Sequence, residues 1–199
     1  QDTYHEMMRR SIIASSILGV KWAVLHPVEE RIDTCFDTEY NIKKNFEFFG
    51  DVVELARKYN VGIAFENMLE RVTSKRRFAS HAGELSALVD AFNDPLVGAC
   101  WDFGHGNLLY KNQGIALRTL GKRIKATHVQ DNDGVEDNHM FPFHGNIDWP
   151  SVMPVLTEIG YEGDFTYETH KEFDKLPDCV KDSLAKAGYE IGMYCLSLA

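Results

Sequence analysis

The sequence contains no apolar run near the roughly 20 residues needed to cross a bilayer, so no membrane partner is expected. It has neither G-x-G-x-x-G nor G-x-x-x-x-G-K-[ST], which removes the usual phosphate-cradling turns of nucleotide folds. Cysteine is sparse. Cys35, Cys100, Cys179 and Cys195 form no C-x-x-C pair and match no zinc-knuckle spacing. Four in 199 residues is too few for a disulfide scaffold, so reduced thiols and a cytoplasmic location are expected. A secretory signal is not expected, although a processed or trimmed chain would lack one as well. Positive charge is scarce as well. Lys and Arg number 21 against 30 Asp and Glu, a net charge of −9, which argues against a nucleic-acid partner. A small anionic substrate stays open, because a few local charges suffice for it. There is no internal repeat, low-complexity tract or linker.

What is present is a patterned chain, 44% hydrophobic, expected to form one α/β domain over residues 1–199. Residues 2–18 read as a helix with Tyr4, Met8 and Ile12 on one side, stopped at Gly19. An apolar run from Val20 to His26 then reads as a buried strand ended by Pro27. Helical spacing over 41–59 puts Ile42, Phe46, Phe49, Val53 and Ala56 on one buried face. Strands are predicted at 61–67, 97–102, 124–129 and 165–168. Helices are predicted near 81–93, 112–121, 149–160 and 178–196. In the last of these, Val180, Leu184, Ala187, Ile191 and Tyr194 form the apolar face. Pro154 disfavours a helix interior and predicts a start later than residue 149. Alternating apolar strands and helices imply a parallel sheet covered by helices, either open or closed into a barrel.

Each of the five strands ends in a potential metal ligand or acid–base group: His26, Glu66, Asp102, His128 and Glu168. In a parallel barrel the carboxyl ends of the strands converge on one mouth, where active sites lie. Two glutamates, an aspartate and an imidazole make a mostly oxygen donor set without thiolates. That set suits one divalent ion: Mn²⁺, Zn²⁺, Mg²⁺ or Co²⁺. Further acids and imidazoles follow at His105, Asp131, Asp133, Asp137, His139 and His144, several of them in a polar stretch over 130–147. Arg76, Arg77 and Lys171 could reach an anionic group.

At this point the chain resembles the xylose isomerase-like (β/α)₈ barrels, the sugar-phosphate isomerase/epimerase group and its relative endonuclease IV. The resemblance rests on Leu25-His26-Pro27, Phe65-Glu66-Asn67-Met68, Trp101-Asp102-Phe103-Gly104-His105 and Thr127-His128-Val129-Gln130-Asp131-Asn132. It continues through Gly145-Asn146-Ile147-Asp148-Trp149 and Gly160-Tyr161-Glu162-Gly163 to Glu168. It implies a TIM barrel that is N-terminally incomplete, with about five of eight βα units and the first three missing. A full barrel takes about 250 residues, so a fragment is expected ahead of a naturally short form that needs a partner chain. A homo-oligomer is possible.

The resemblance implies a metal held by Glu66, Asp102, His128 and Glu168, with Glu66 and Glu168 also the acid–base pair. It places His26, Asn67, His105, Asp137 and His139 among the substrate contacts. The implied activity is isomerisation or epimerisation of a sugar or sugar phosphate by proton abstraction through an enediolate. Endonuclease IV uses the same four positions within a three-zinc cluster, and His26, His105, Asp137 and His139 match four of its additions. A multi-zinc phosphodiesterase acting on abasic DNA is therefore an alternative, and a non-catalytic metal- or sugar-binding barrel is another. Two departures stand out. The family loop Pro-Gly-x-Gly reads Pro142-Phe143-His144-Gly145 here. The arginine that tagatose-type 3-epimerases often place after the metal histidine is missing between His128 and Trp149.

Overall fold

The computed structural model describes residues 2–30, 37–70 and 76–199. Its strands are β1 (Trp22–Leu25), β2 (Gly62–Glu66), β3 (Val97–Asp102), β4 (Ile124–Val129) and β5 (Thr166–Tyr167). Its helices are α1 (Asp2–Leu18), α2 (Thr38–Tyr59), α3 (Ala82–Phe92), α4 (Phe103–Leu109), α5 (Gln113–Leu120), α6 (Trp149–Glu158) and α7 (Asp178–Ser197). No helix among the described residues is long and apolar enough to span a membrane.

The five strands pair in parallel in the order β1-β2-β3-β4-β5. Strands sit about 4.8 Å apart in a sheet, so in a flat one β1 and β4 would stand about 14 Å apart. Here their Cα atoms come within 8 Å. The sheet therefore curls, and its five strands form the wall of an incomplete TIM barrel.

The curl separates two faces. On the convex face Phe65 packs between Phe49 of α2 and Phe92 of α3, with ring centroids 5.1 and 5.4 Å away. Trp101, Leu85, Leu88, Leu117 and Leu120 continue this core, all fully buried. On the concave face the two-residue strand period brings up small residues, Ala64, Gly98, Cys100 and Ala126, and then Glu66, Asp102 and His128 at the carboxyl ends. Gly62 and Gly98 are required there. A Cβ at Gly62 would lie 2.2 Å from the Trp22 ring, and one at Gly98 2.3 Å from the Lys125 stem. A cleft of about 930 Å³ opens on this face toward the amino ends of the strands, where Gly19, Lys122 and Gly163 line it, and reaches up past Val24 and Ala126 to His128.

Several elements differ from the sequence-based expectation. In α2, Asn41 and Asn45 are buried while Phe46 is 50% exposed. The asparagines turn inward because they bind the segment after His26. Asn45 accepts the Val28 N–H at 2.9 Å and donates to the Val28 carbonyl at 2.7 Å, and Asn41 accepts the Glu30 N–H at 2.7 Å. In α7 the buried residues are Gly188, Gly192 and Cys195 rather than the larger apolar ones. The Phe141 ring lies where a Gly188 Cβ would project, and the Tyr167 hydroxyl does so at Gly192. Helix α6 begins at Trp149 despite Pro154. The carbonyl that Pro154 leaves unpaired belongs to Pro150, an exposed first-turn residue that water can reach. Helix α4 has no counterpart in the expected elements. It starts directly after β3 because Asp102 caps it, accepting the His105 N–H at 2.6 Å.

Candidate metal centre

Register decides which groups meet. Asp102 pairs with His128 across β3 and β4, and Glu66 stands beside Cys100, one step below Asp102 on the concave face. Glu168 follows β5 immediately, its N–H bonded to the Val129 carbonyl at 3.0 Å. One ligand atom from each of Glu66, Asp102, His128 and Glu168 lies within 4.8 Å of the others. His128 Nδ1 is central, 3.2 Å from Glu66 Oε1 and 3.1 Å from Glu168 Oε2.

Asp102 is fully buried and Glu66 nearly so. Asp102 Oδ2 is a buried atom with no hydrogen-bond partner, while His128 Nδ1 is shared between the two glutamates and Glu168 Oε2 has that one imidazole beside it. Buried polar atoms are normally paired, so an unpartnered Asp102 oxygen beside two carboxylates crowded onto one imidazole nitrogen marks a shared requirement. Three carboxylates and one imidazole around that point fit a divalent cation. The protonation pattern agrees. Burial pushes Asp102 up to about 7, reinforced by the charge on Glu66, although His105 opposes it. Burial also lifts Glu66, but hydrogen bonds from His128 and His26 outweigh it and hold the carboxyl at about 2. Burial lowers His128, yet hydrogen bonds to Glu168 and Glu66 win and raise it to about 10. The imidazolium supplies the positive charge that this acidic pocket demands.

His26, mostly exposed, joins from β1 with Nε2 3.2 Å from Glu66 Oε2. His105 Nδ1 donates to the Asn67 carbonyl at 2.8 Å and lies 3.5 Å from Glu66 Oε1. Its Nε2 is 3.9 Å from Asp137 Oδ2. His139 Nδ1 donates to the Glu168 carbonyl at 2.8 Å, and its Nε2 meets Asp137 Oδ2 at 2.9 Å. Of the expected substrate contacts, these four are thus brought to the centre. Asn67 is placed otherwise. It is fully buried, and both amide atoms engage the Asp102 backbone, accepting its N–H at 2.6 Å and donating to its carbonyl at 3.0 Å. It ties the ends of β2 and β3 together through both of its amide atoms.

The polar stretch after β4 folds around Asp131. This fully buried carboxylate accepts N–H groups from Asn132, Phe143 and Ile147 and the indole N–H of Trp149. Phe143, in place of the family glycine, still adopts the left-handed φ of +72°, so the loop keeps the shape that glycine would favour. Gly145 has no alternative, because a Cβ there would sit 2.2 Å from the Asn132 carbonyl oxygen. Arg77 pairs with Glu29, Arg76 with Glu84, and Lys171 bonds the Asp137 carbonyl. Cys100, Cys179 and Cys195 are free thiols, and Cys35 lies outside the described residues. Sequence reading assigned no role to Gln130 or His170. His170 lies tilted against His139 with ring centroids 4.5 Å apart, and together with Glu168 the two form a second group of adjacent ligand atoms.

Residues 1–189 match the family model described as xylose isomerase-like TIM barrel. The chain belongs to that family. Among solved structures it is similar to a D-tagatose 3-epimerase-like protein, at 26% identity and a TM-score of 0.72, over 92% of this chain and 67% of that one. The fold is shared with the IolI protein crystallised with a bound zinc atom, at 22% identity and a TM-score of 0.77, covering 96% and 68%. Among sequences it is 28% identical over 171 residues to the uncharacterized protein y4fM of Sinorhizobium fredii, 82% of this chain and 52% of that one. It is 29% identical over 133 residues to the uncharacterized protein MJ1311 of Methanocaldococcus jannaschii, covering 64% and 43%. This family member therefore spans about half the length of these two relatives.

Proposed function

We propose that this family member is a divalent-metal-dependent isomerase or epimerase of a sugar or sugar phosphate. The observation that carries the reading is the placement of Glu66 and Glu168 on two sides of His128, both within about hydrogen-bond reach of one imidazole nitrogen. A D-tagatose 3-epimerase-like protein among its structural relatives supports the same class.

Glu66, Asp102, His128 and Glu168 would hold the cation, with His128 giving up its proton to do so. A cation bound there would act as a Lewis acid toward a carbonyl and its neighbouring hydroxyl, making the carbon-bound proton between them more acidic. Glu168, the more exposed glutamate, removes that proton to give an enediolate. Glu66, having taken up the proton that His128 gives up 3.2 Å away, delivers that second proton to the opposite face for epimerisation, and Glu168 keeps the one it removed. Return to the adjacent carbon gives aldose–ketose exchange. His26, His105, Asp137 and His139 ring the centre and would contact the sugar hydroxyls.

The test is a screen of ketoses and ketose phosphates in deuterated water, run with the metal-loaded full-length protein. Deuterium should enter the carbon next to the carbonyl of at least one substrate. No incorporation across the panel, with metal bound, would sink the reading. The gathering of His105, Asp137 and His139 beside the four ligands favours one second reading, an endonuclease IV-like phosphodiesterase. Metal counting separates them: one ion per chain supports the isomerase, and three support the nuclease.

A further inference from the structure

Gln130 lies two residues beyond His128 and is fully buried. Its Nε2 sits between two carboxylates, 3.3 Å from Asp102 Oδ1 and 2.7 Å from Asp137 Oδ1. An amide nitrogen carries two hydrogens, so it can donate to both at once. Its Oε1 accepts the His139 N–H at 3.3 Å. The amide has room only because residue 104 is glycine: a Cβ there would lie 2.1 Å from the Gln130 amide carbon and oxygen.

These bonds form a continuous chain across the mouth of the barrel. It runs from Asp102 to Gln130 to Asp137, then through the Asp137–His139 contact to the Glu168 carbonyl. Its two ends are residues of the candidate metal centre on β3 and just after β5. The chain also explains why Asp102 presents one oxygen to the centre. Oδ1 is occupied by Gln130 and by the His105 N–H, while Oδ2 is left without a partner.

We propose that Gln130 is a positioning residue for the metal centre, holding Asp102 so that Oδ2 faces the cation and coupling that carboxylate to Asp137 in the following loop. The proposal rests on the metal-centre reading above. Groups that orient metal ligands typically govern affinity by roughly 10- to 100-fold. A residue that only fills space would not transmit the state of Asp137 to the metal.

The test is a double-substitution cycle read by Co²⁺ affinity, with no turnover needed. The variants are Gln130→Met, Asp137→Ala and the pair together, compared with the unaltered protein. Gln130→Met keeps the volume and removes the donors. It should weaken Co²⁺ binding about 10-fold or more and change the visible absorption of bound Co²⁺. Asp137→Ala should weaken binding by itself but add nothing in the Gln130→Met background, because its route to Asp102 is already cut. If Gln130→Met fails to fold, Gln130→Leu serves in the same cycle, since it is a little smaller and also carries no donor. Affinity equal to that of the unaltered protein, or losses that multiply in the pair, would overturn the coupling role while leaving the metal centre intact. An unaltered protein that binds no Co²⁺ would overturn both.

Discussion

The Asp131 carboxylate accepts the indole N–H of Trp149, 18 positions on, at 2.8 Å, closing the intervening loop onto the first turn of α6. Both residues are fully buried, and three backbone N–H groups converge on the same carboxylate. Removing an acceptor from buried donors leaves their desolvation uncompensated. Asp131→Asn keeps the shape but turns an amide N–H₂ toward groups that are themselves donors. It should lower stability by about 2–4 kcal/mol and alter the near-ultraviolet circular dichroism of Trp149. A urea midpoint unchanged from that of the unaltered protein would contradict this account of the loop.

Gly145→Ala tests the same loop from the backbone side. Its Cβ would meet the Asn132 carbonyl at 2.2 Å and Asp131 Oδ1 at 2.3 Å. The carbonyl cannot withdraw without loosening its bond from the Asn146 N–H, and Asp131 Oδ1 cannot without loosening its bonds from the Asn132 and Ile147 N–H groups. We expect a loss of about 2–3 kcal/mol, seen as a melting temperature roughly 4–12 °C lower.

Glu66→Gln should reduce turnover by at least about 10²-fold if Glu66 exchanges a proton with substrate. Metal binding should weaken only in part, because three ligands remain. Glu168→Gln should behave likewise but should also block deuterium uptake from the face where exchange starts. Retained turnover in metal-loaded Glu66→Gln would remove its acid–base role.

Cation-free protein should lose stability as pH rises. Asp102 is pushed up to about 7 by burial, so ionising it in the folded state is unfavourable, and that penalty grows from its ordinary range near 3.8 up to about 7. His128 is raised to about 10 because its bonds to Glu168 and Glu66 outweigh burial. Its stabilising contribution is complete below its ordinary value of 6.5 and is lost as pH climbs through about 10. Both slopes have the same sign, so the urea midpoint in the presence of a chelator should fall between pH 6 and pH 9.5. Adding Zn²⁺ or Co²⁺ should raise the midpoint and flatten the slope, since the cation replaces the His128 proton. At 100 times the dissociation constant the gain is about 2.7 kcal/mol. A midpoint that is flat or rises with pH in the chelated protein would contradict this assignment of charge.

The linear chain by itself determined the strands and what stands at their ends. Apolar runs such as Val97–Asp102 specify buried parallel strands, and their closing residues were readable as a convergent acid and imidazole set. That information is local, carried by a two-residue period and by breaks at Pro27 and Gly19. What only the tertiary structure decided lies in contacts between residues far apart. Asn67 looks like a group at the mouth of the site but is taken up by the Asp102 backbone, 35 residues on. Asn41 and Asn45 turn the face of α2 inward for a segment 11 and 17 residues before them. Gln130 meets the Asp102 carboxylate only because β3 brings Asp102 beside it and Gly104 leaves it room. A side chain's hydrogen-bonding partners are set by which strand ends meet, and periodicity along the chain carries no record of that.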